Sequence, residues 1–140
     1  MDVNISKFNE QLKNFVDDLK SLNIENINKI EDNLYYLKFN SRIAINLFGK
    51  CILENDIYRY MIFQENEQFF LCQDYSNGIE DITQIMIKQI KGKWIELNKD
   101  QKQKIWNYFK IFIYYSDEYI NINTLECNKK VKSKYLSALL

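Results

Sequence analysis

The sequence predicts a single all-α domain, a bundle of five to six helices closed by a C-terminal helical hairpin. Three observations predict it. Apolar residues recur in steps of three and four over most of residues 5–38 and again over 79–120, which lines them along helix faces. Two adjoining capping signals, Asn77-Gly78-Ile79-Glu80 and Asn98 with Gln101, open two segments separated by a very short connection at Leu97-Asn98-Lys99. The chain has 140 residues, and a domain of that size buries about two thirds or more of the surface its unfolded form exposes, so it needs no disulfide or metal to fold. The helical domain spans residues 1–120. Residues 121–140 form a basic amphipathic tail that can make one more short helix.

In chain order, Ile5, Phe8, Leu12, Phe15, Val16, Leu19 and Leu22 make the first helical stripe, with Ser6 placed to cap it and Lys7, Glu10, Lys13, Asp17 and Lys20 on the opposite, solvent-facing side. Asn23 interrupts. Ile24, Ile27, Ile30, Leu34 and Leu37 then continue at helical spacing to about Lys38.

Residues 39–72 support two readings. Arg42 to Leu47 partly alternates in polarity, as do Tyr58, Tyr60 and Ile62, and Glu54-Asn55-Asp56 offers a turn, which together describe a β-meander. The helical alternative puts Ala44, Leu47, Phe48 and Cys51 on one buried face and Ile57, Tyr60 and Met61 on another, with Ser41 and Asn55 as caps.

The third strong stripe is Ile79, Ile82, Met86, Ile90, Trp94 and Leu97, blemished by Gly92, which implies either a close backbone approach or a weak last turn. The fourth holds Ile105, Phe109, Phe112 and Tyr119, broadened by Trp106, Ile113 and Ile120. Only a narrow polar strip remains there, with Gln103, Asn107, Lys110, Asp117 and Asn121, interrupted by Tyr114. In the tail, Val131, Tyr135, Leu136 and Leu139 fall in line.

Composition excludes more chemistry than it suggests. The chain has no histidine, which removes Ser-His and Cys-His relays, an imidazole base and any His-ligated metal. Cys51, Cys72 and Cys127 are widely spaced and odd in number, so neither a disulfide framework nor a zinc ribbon is expected; the compartment is expected to be reducing, and Cys51 and Cys72 to be buried structural thiols. Adjacent carboxylates occur at Asp17-Asp18, Glu31-Asp32 and Glu80-Asp81, but neighbours on a helix diverge, and solvated surface is the expectation. Glu65, Glu67 and Asp74 could gather round a hard cation, yet they lack the Gly-containing alternation of a calcium loop, and a capping or turn role is favoured. The three glycines stand alone and build no phosphate cradle. No catalytic residue, cofactor site or metal site is assigned. No basic-then-apolar leader opens the chain and no run suits a membrane span, so the expectation is a protein neither secreted nor integral to a bilayer.

Formal charge is zero overall but runs from −4 over residues 1–78 to +4 over 79–140. Lysines gather near the turn and in the tail. Lys88, Lys91, Lys99, Lys102, Lys130 and Lys132 form the candidate contact surface for nucleic acid, although interleaved Glu96 and Asp100 and zero net charge favour an ordinary solvated face. For the tail, two readings stay open: Val131, Tyr135, Leu136 and Leu139 dock into a partner's groove, or they fold back on the core.

Several stretches, taken in order and spacing, resemble a group of small helical proteins of unknown function encoded by nucleocytoplasmic large DNA viruses, the giant viruses. They are Phe8-Asn9-Glu10-Gln11-Leu12 with Phe15-Val16-Asp17-Asp18-Leu19; Asn40-Ser41-Arg42 with Phe48; Glu67-Gln68-Phe69-Phe70-Leu71 with Asp74-Tyr75-Ser76; and Trp94, Leu97, Ile105-Trp106 and Tyr108-Phe109. Proteins of that group carry proline where this chain has Ser41, a residue that marks the first turn of a helix. The resemblance tips residues 41–72 toward helices. It implies a virus-encoded protein working in an infected cell, in the host cytoplasm or viral factory, with the virion as a further location; separately, the lack of catalytic residues points to a non-enzymatic protein whose partner is another viral or host protein or a second copy of itself. The resemblance brings no activity or catalytic residue with it.

Overall fold

Helix α1, Val3–Lys20, and helix α7, Lys99–Thr124, form the spine of the molecule and share its most extensive interface. The computed structural model describes residues 3–22, 24, 27–35, 39–49, 56–72 and 82–124. Along the spine Phe8 meets Phe112, Phe15 meets Tyr108 and Phe109, and Lys104 meets Asp18, so the two helices run antiparallel. The α1 stripe is the predicted one: Ile5, Phe8, Leu12, Phe15, Val16 and Leu19 are all buried. Ser6 lies inside the helix, which begins at Val3, and is exposed rather than capping it.

Around the spine stand α2 (Ile27–Tyr35), α3 (Ile43–Phe48), α4 (Asp56–Phe63), α5 (Glu67–Cys72) and α6 (Ile82–Lys93), the last continuing into a 3-10 turn at Trp94–Glu96. The described residues are all-α with no strand, and the bundle comprises seven α-helices among them. The meander reading of residues 39–72 is therefore overturned, because local caps and turns settle what strand propensity left open. Helix α4 ends with Asn66 N–H bonded to the Met61 carbonyl and Glu65 N–H to the Ile62 carbonyl, the paired bonds of a Schellman motif. Glu65 occupies the left-handed position at φ 53° where glycine is usual. Asn66 then starts α5, its side-chain oxygen accepting the Phe69 N–H at 2.8 Å.

Helix α3 enters differently from the expectation. Arg42 precedes it without a side-chain cap, the Asn40 side chain accepts the Arg42 N–H at 3.2 Å, and the Ser41 carbonyl accepts a bond from the Asn9 amide at 2.7 Å, which ties this loop to α1. Ala44, Ile45 and Phe48 are its buried residues. Asn55, Asn77, Glu80 and Cys51 lie outside the described residues.

Helix α6 packs on α2 and α3 and meets α7 where the two join, through Trp94 and Trp106, whose rings cross edge to face at 5.4 Å. The cap of α7 is the predicted one in both directions: Gln101 N–H bonds to the Asn98 side chain at 2.8 Å, and Asn98 N–H to the Gln101 side chain at 2.9 Å. Phe70 of α5 closes this end by packing on Trp94, Trp106 and Phe109. No helix among the described residues is long and apolar enough to cross a membrane.

Candidate functional site

Two places on α7 gather polar side chains, one on each flank. On the first, the last turns of α1 and the first turns of α7 leave a cleft of about 130 Å³. Its floor is apolar, from buried Phe15, Leu19 and Ile105. On its lip Tyr108 Oη donates to Asp18 Oδ2 at 2.5 Å and Lys104 Nζ approaches the same oxygen at 3.3 Å. Partial burial pushes the Tyr108 phenol well above its ordinary range, and the hydrogen bond to Asp18 adds to the effect. It therefore keeps its proton and acts as a donor, not a base. Asp18 is thus not simply the solvated surface residue that its sequence neighbourhood suggests.

On the second flank, α4 and α5 latch onto α7 through charge. Arg59 donates a hydrogen bond from Nη2 to Asp117 Oδ1 in the interior, and the two are the buried charged residues among those described. Burial pushes the Asp117 carboxyl up to about 6, with the Arg59 guanidinium pulling the other way. Farther along, Lys110 bonds to Glu65 at 2.5 Å and Gln103 to the same oxygen at 3.0 Å. Trp94 Nε1–H donates to Glu67 at 2.5 Å, and Lys102 joins that oxygen at 2.9 Å. The Lys110 and Gln103 bonds hold Glu65 below the usual carboxylate range, and the Lys102 and Trp94 bonds do the same for Glu67. The pairings 59 with 117 and 65 with 110 make α4 antiparallel to α7.

This latch corrects the predicted face of α4. Ile57 and Tyr60 are exposed, each at 57%, and Met61 is only partly covered, whereas Arg59 and Ile62 point inward. Phe63 adds to the outward apolar row, and the antiparallel register sets it level with the turn of α7 that carries exposed Tyr114. Arg59 is the one charge between Asp56 and Glu65 in the sequence, and spacing alone does not show that it turns inward. Asp117 likewise leaves the solvent strip assigned to it. Glu65 and Glu67 bind lysines of α7 rather than converging on a cation, and Asp74 lies outside the described residues. Among the described residues no group of three or more Cys, Asp and Glu side chains is placed to hold a metal ion. Cys72 is a free thiol and exposed, against the expectation of burial, because it ends α5 on the side away from Phe70.

The predicted lysine surface is divided among separate roles. Lys102 lies over the Trp94 ring at 5.5 Å besides its bond to Glu67, and Lys91 lies over Phe70 at 6.0 Å. Lys93 pairs with Glu96 at 3.0 Å and Lys104 with Asp18. Lys88 and Lys99 are exposed. Lys130, Lys132 and the docking candidates Val131, Tyr135, Leu136 and Leu139 lie outside the described residues.

Comparison with known proteins returns no matching family, no matching curated protein and no matching solved structure.

Proposed function

We propose that this chain is a non-enzymatic protein-interaction component, virion-associated or acting in assembly, of a large DNA virus. The viral part rests on the sequence resemblance, which covers nearly residues 1–120. The interaction part is carried by one observation: the close ionisable pairs on α7 serve to clamp helices together, while Ile57, Tyr60 and Phe63 on α4 and Tyr114 on α7 present apolar surface to solvent. A protein surface, another viral or host protein or a second copy, is the occupant such side chains suit. Nucleic acid is the less favoured partner, since Lys93, Lys102 and Lys104 each already face a carboxylate and phosphate binding would have to compete with those pairs.

Size-exclusion chromatography with light scattering, then cross-linking in infected cells and proteomics of purified particles, tests the reading. A cross-linked viral or host partner or a self-associated species, lost on Tyr60→Glu with the fold retained, supports it. A monomer without a partner, absent from particles, overturns it. Gel-shift titration at two salt concentrations tests the rival, which requires binding at low salt that Lys99→Glu with Lys102→Glu removes.

A further inference from the structure

We propose that the cleft between α1 and α7 is a receptor for a single cationic side chain, lysine or arginine, presented by a protein partner. The inference rests on the interaction reading above and gives that partner a chemistry. Three features of the cleft carry it.

Size comes first. A volume of about 130 Å³ is close to the ~150 Å³ that admits one benzene ring in an engineered cavity, so the cleft accepts one side chain and no more. Its floor of Phe15, Leu19 and Ile105 suits methylenes or a ring, not a wholly polar group.

Charge comes second. Asp18 is the carboxylate on the lip, and among the described residues both side-chain contacts of its carboxylate fall on Oδ2, which leaves Oδ1 to accept from an incoming donor. Tyr108 fixes the carboxylate by donating to it and brings no positive charge of its own. The negative end of α1 and the positive end of α7 lie side by side here and offset each other, so Asp18 sets the sign of the preferred guest.

The occupant already in place comes third. Lys104 is a resident model of the guest: an ammonium on an apolar stem, reaching Asp18 from the rim. Its side chain is 61% exposed, and an exposed pair of this kind is worth about 0–1 kcal/mol, so it offers little competition to a guest that reaches the same carboxylate. An anionic guest would instead meet Asp18 directly.

The test is titration of the full chain with benzylammonium, benzyl alcohol and benzoate, followed by amide shifts in nuclear magnetic resonance spectra. Benzylammonium is expected to saturate shifts at Ile105 and Tyr108 at least tenfold more tightly than benzyl alcohol, with benzoate weaker still. Asp18→Asn should erase the difference between the first two, and Lys104→Ala, at an exposed position that leaves the core intact, should tighten benzylammonium severalfold. Equal binding of the three probes, no saturable binding of any, or tightening absent in Lys104→Ala overturns the proposal. Partner capture that depends on Tyr60 can survive that result, so the two readings fail separately.

Discussion

Helix α7 is held on its two flanks by different physics. Toward α1 the contact is rings on rings, with Phe8 and Phe15 against Tyr108, Phe109 and Phe112. Toward α4 and α5 charge is added to the ring contacts of Phe70, with Arg59, Glu65 and Glu67 against Asp117, Lys110 and Lys102. Apolar contact is non-directional and spread over many atoms, so its strength scales with area. A buried charge pair depends on one partner being present, and breaking it leaves an uncompensated charge in the interior. The first seam should therefore fail by truncation, and the second only when one half is changed without the other.

The largest effects separate the two seams. Arg59→Ala is expected to lose about 3–5 kcal/mol, because Asp117 stays buried without the guanidinium that favours its charge and must either hold an uncompensated charge or take up a proton. Arg59→Met together with Asp117→Leu should be neutral or gain about 1–4 kcal/mol, as both desolvation penalties disappear. Phe15→Ala should lose a similar 3–5 kcal/mol through a cavity among Tyr108, Phe109 and Phe112, with no charge-removing second change to restore it. Urea unfolding followed by the fluorescence of Trp94 and Trp106 measures all three. A double variant no more stable than Arg59→Ala would break the comparison.

The same contrast explains what the sequence made legible. Stripes built from apolar residues announce themselves by spacing, and so α1, α6 and the core face of α7 were readable, down to Trp94, Trp106 and the Asn98 cap. The inward turn of Arg59 was not. Its partner lies 58 residues away, and a helix wheel scores an arginine as outward whatever it meets in space. Once Arg59 turns inward, Ile57 and Tyr60 must turn outward, which reverses the expected face of a whole helix. Asp18 escaped for a related reason: its bonds to Tyr108 and Lys104 exist only after α1 and α7 align.

Acidity probes the second seam along its length. Folded Asp117 titrates at about 6 against an ordinary 3.8, so between those values the folded state holds a proton the unfolded chain has shed. Its contribution therefore rises as pH falls from about 6 toward 4 and is at its lowest above 6. Glu65 and Glu67 run the opposite way: each is lowered from 4.5, so what they contribute is present above that value and lost as pH falls through their folded values. Urea midpoints should climb on mild acidification and then drop. In the Arg59→Met, Asp117→Leu variant the climb should vanish while the drop remains, and a climb that persists would assign it to another group.

Smaller effects test the joints. Asn66→Ala removes the side-chain bond to the Phe69 N–H and is expected to lose about 0.5–2 kcal/mol, and Asn98→Ala, which unmakes half of the reciprocal cap of α7, should lose a comparable amount. Asn66 follows Glu65 in its left-handed conformation, so its loss also loosens the turn that aims Glu65 at Lys110. Amide hydrogen exchange should localise the first change to α5 and leave the α1 seam protected.

Gly92 gives the smallest effect and the one with the opposite sign. It sits in the last turn of α6, just before the helix tightens into the 3-10 turn that delivers Trp94 to the core. A Cβ built there meets nothing within 4 Å, so no neighbouring backbone requires glycine, and of the two explanations its sequence position allowed, the weak last turn stands. Gly92→Ala should then stabilise the fold by about 0.5–1 kcal/mol, by restricting the unfolded chain without crowding the folded one. The gain should appear as slower exchange of amides in the last turns of α6, with the Trp94 and Trp106 fluorescence unchanged. If the substitution destabilises instead, the weak-last-turn account of residue 92 fails.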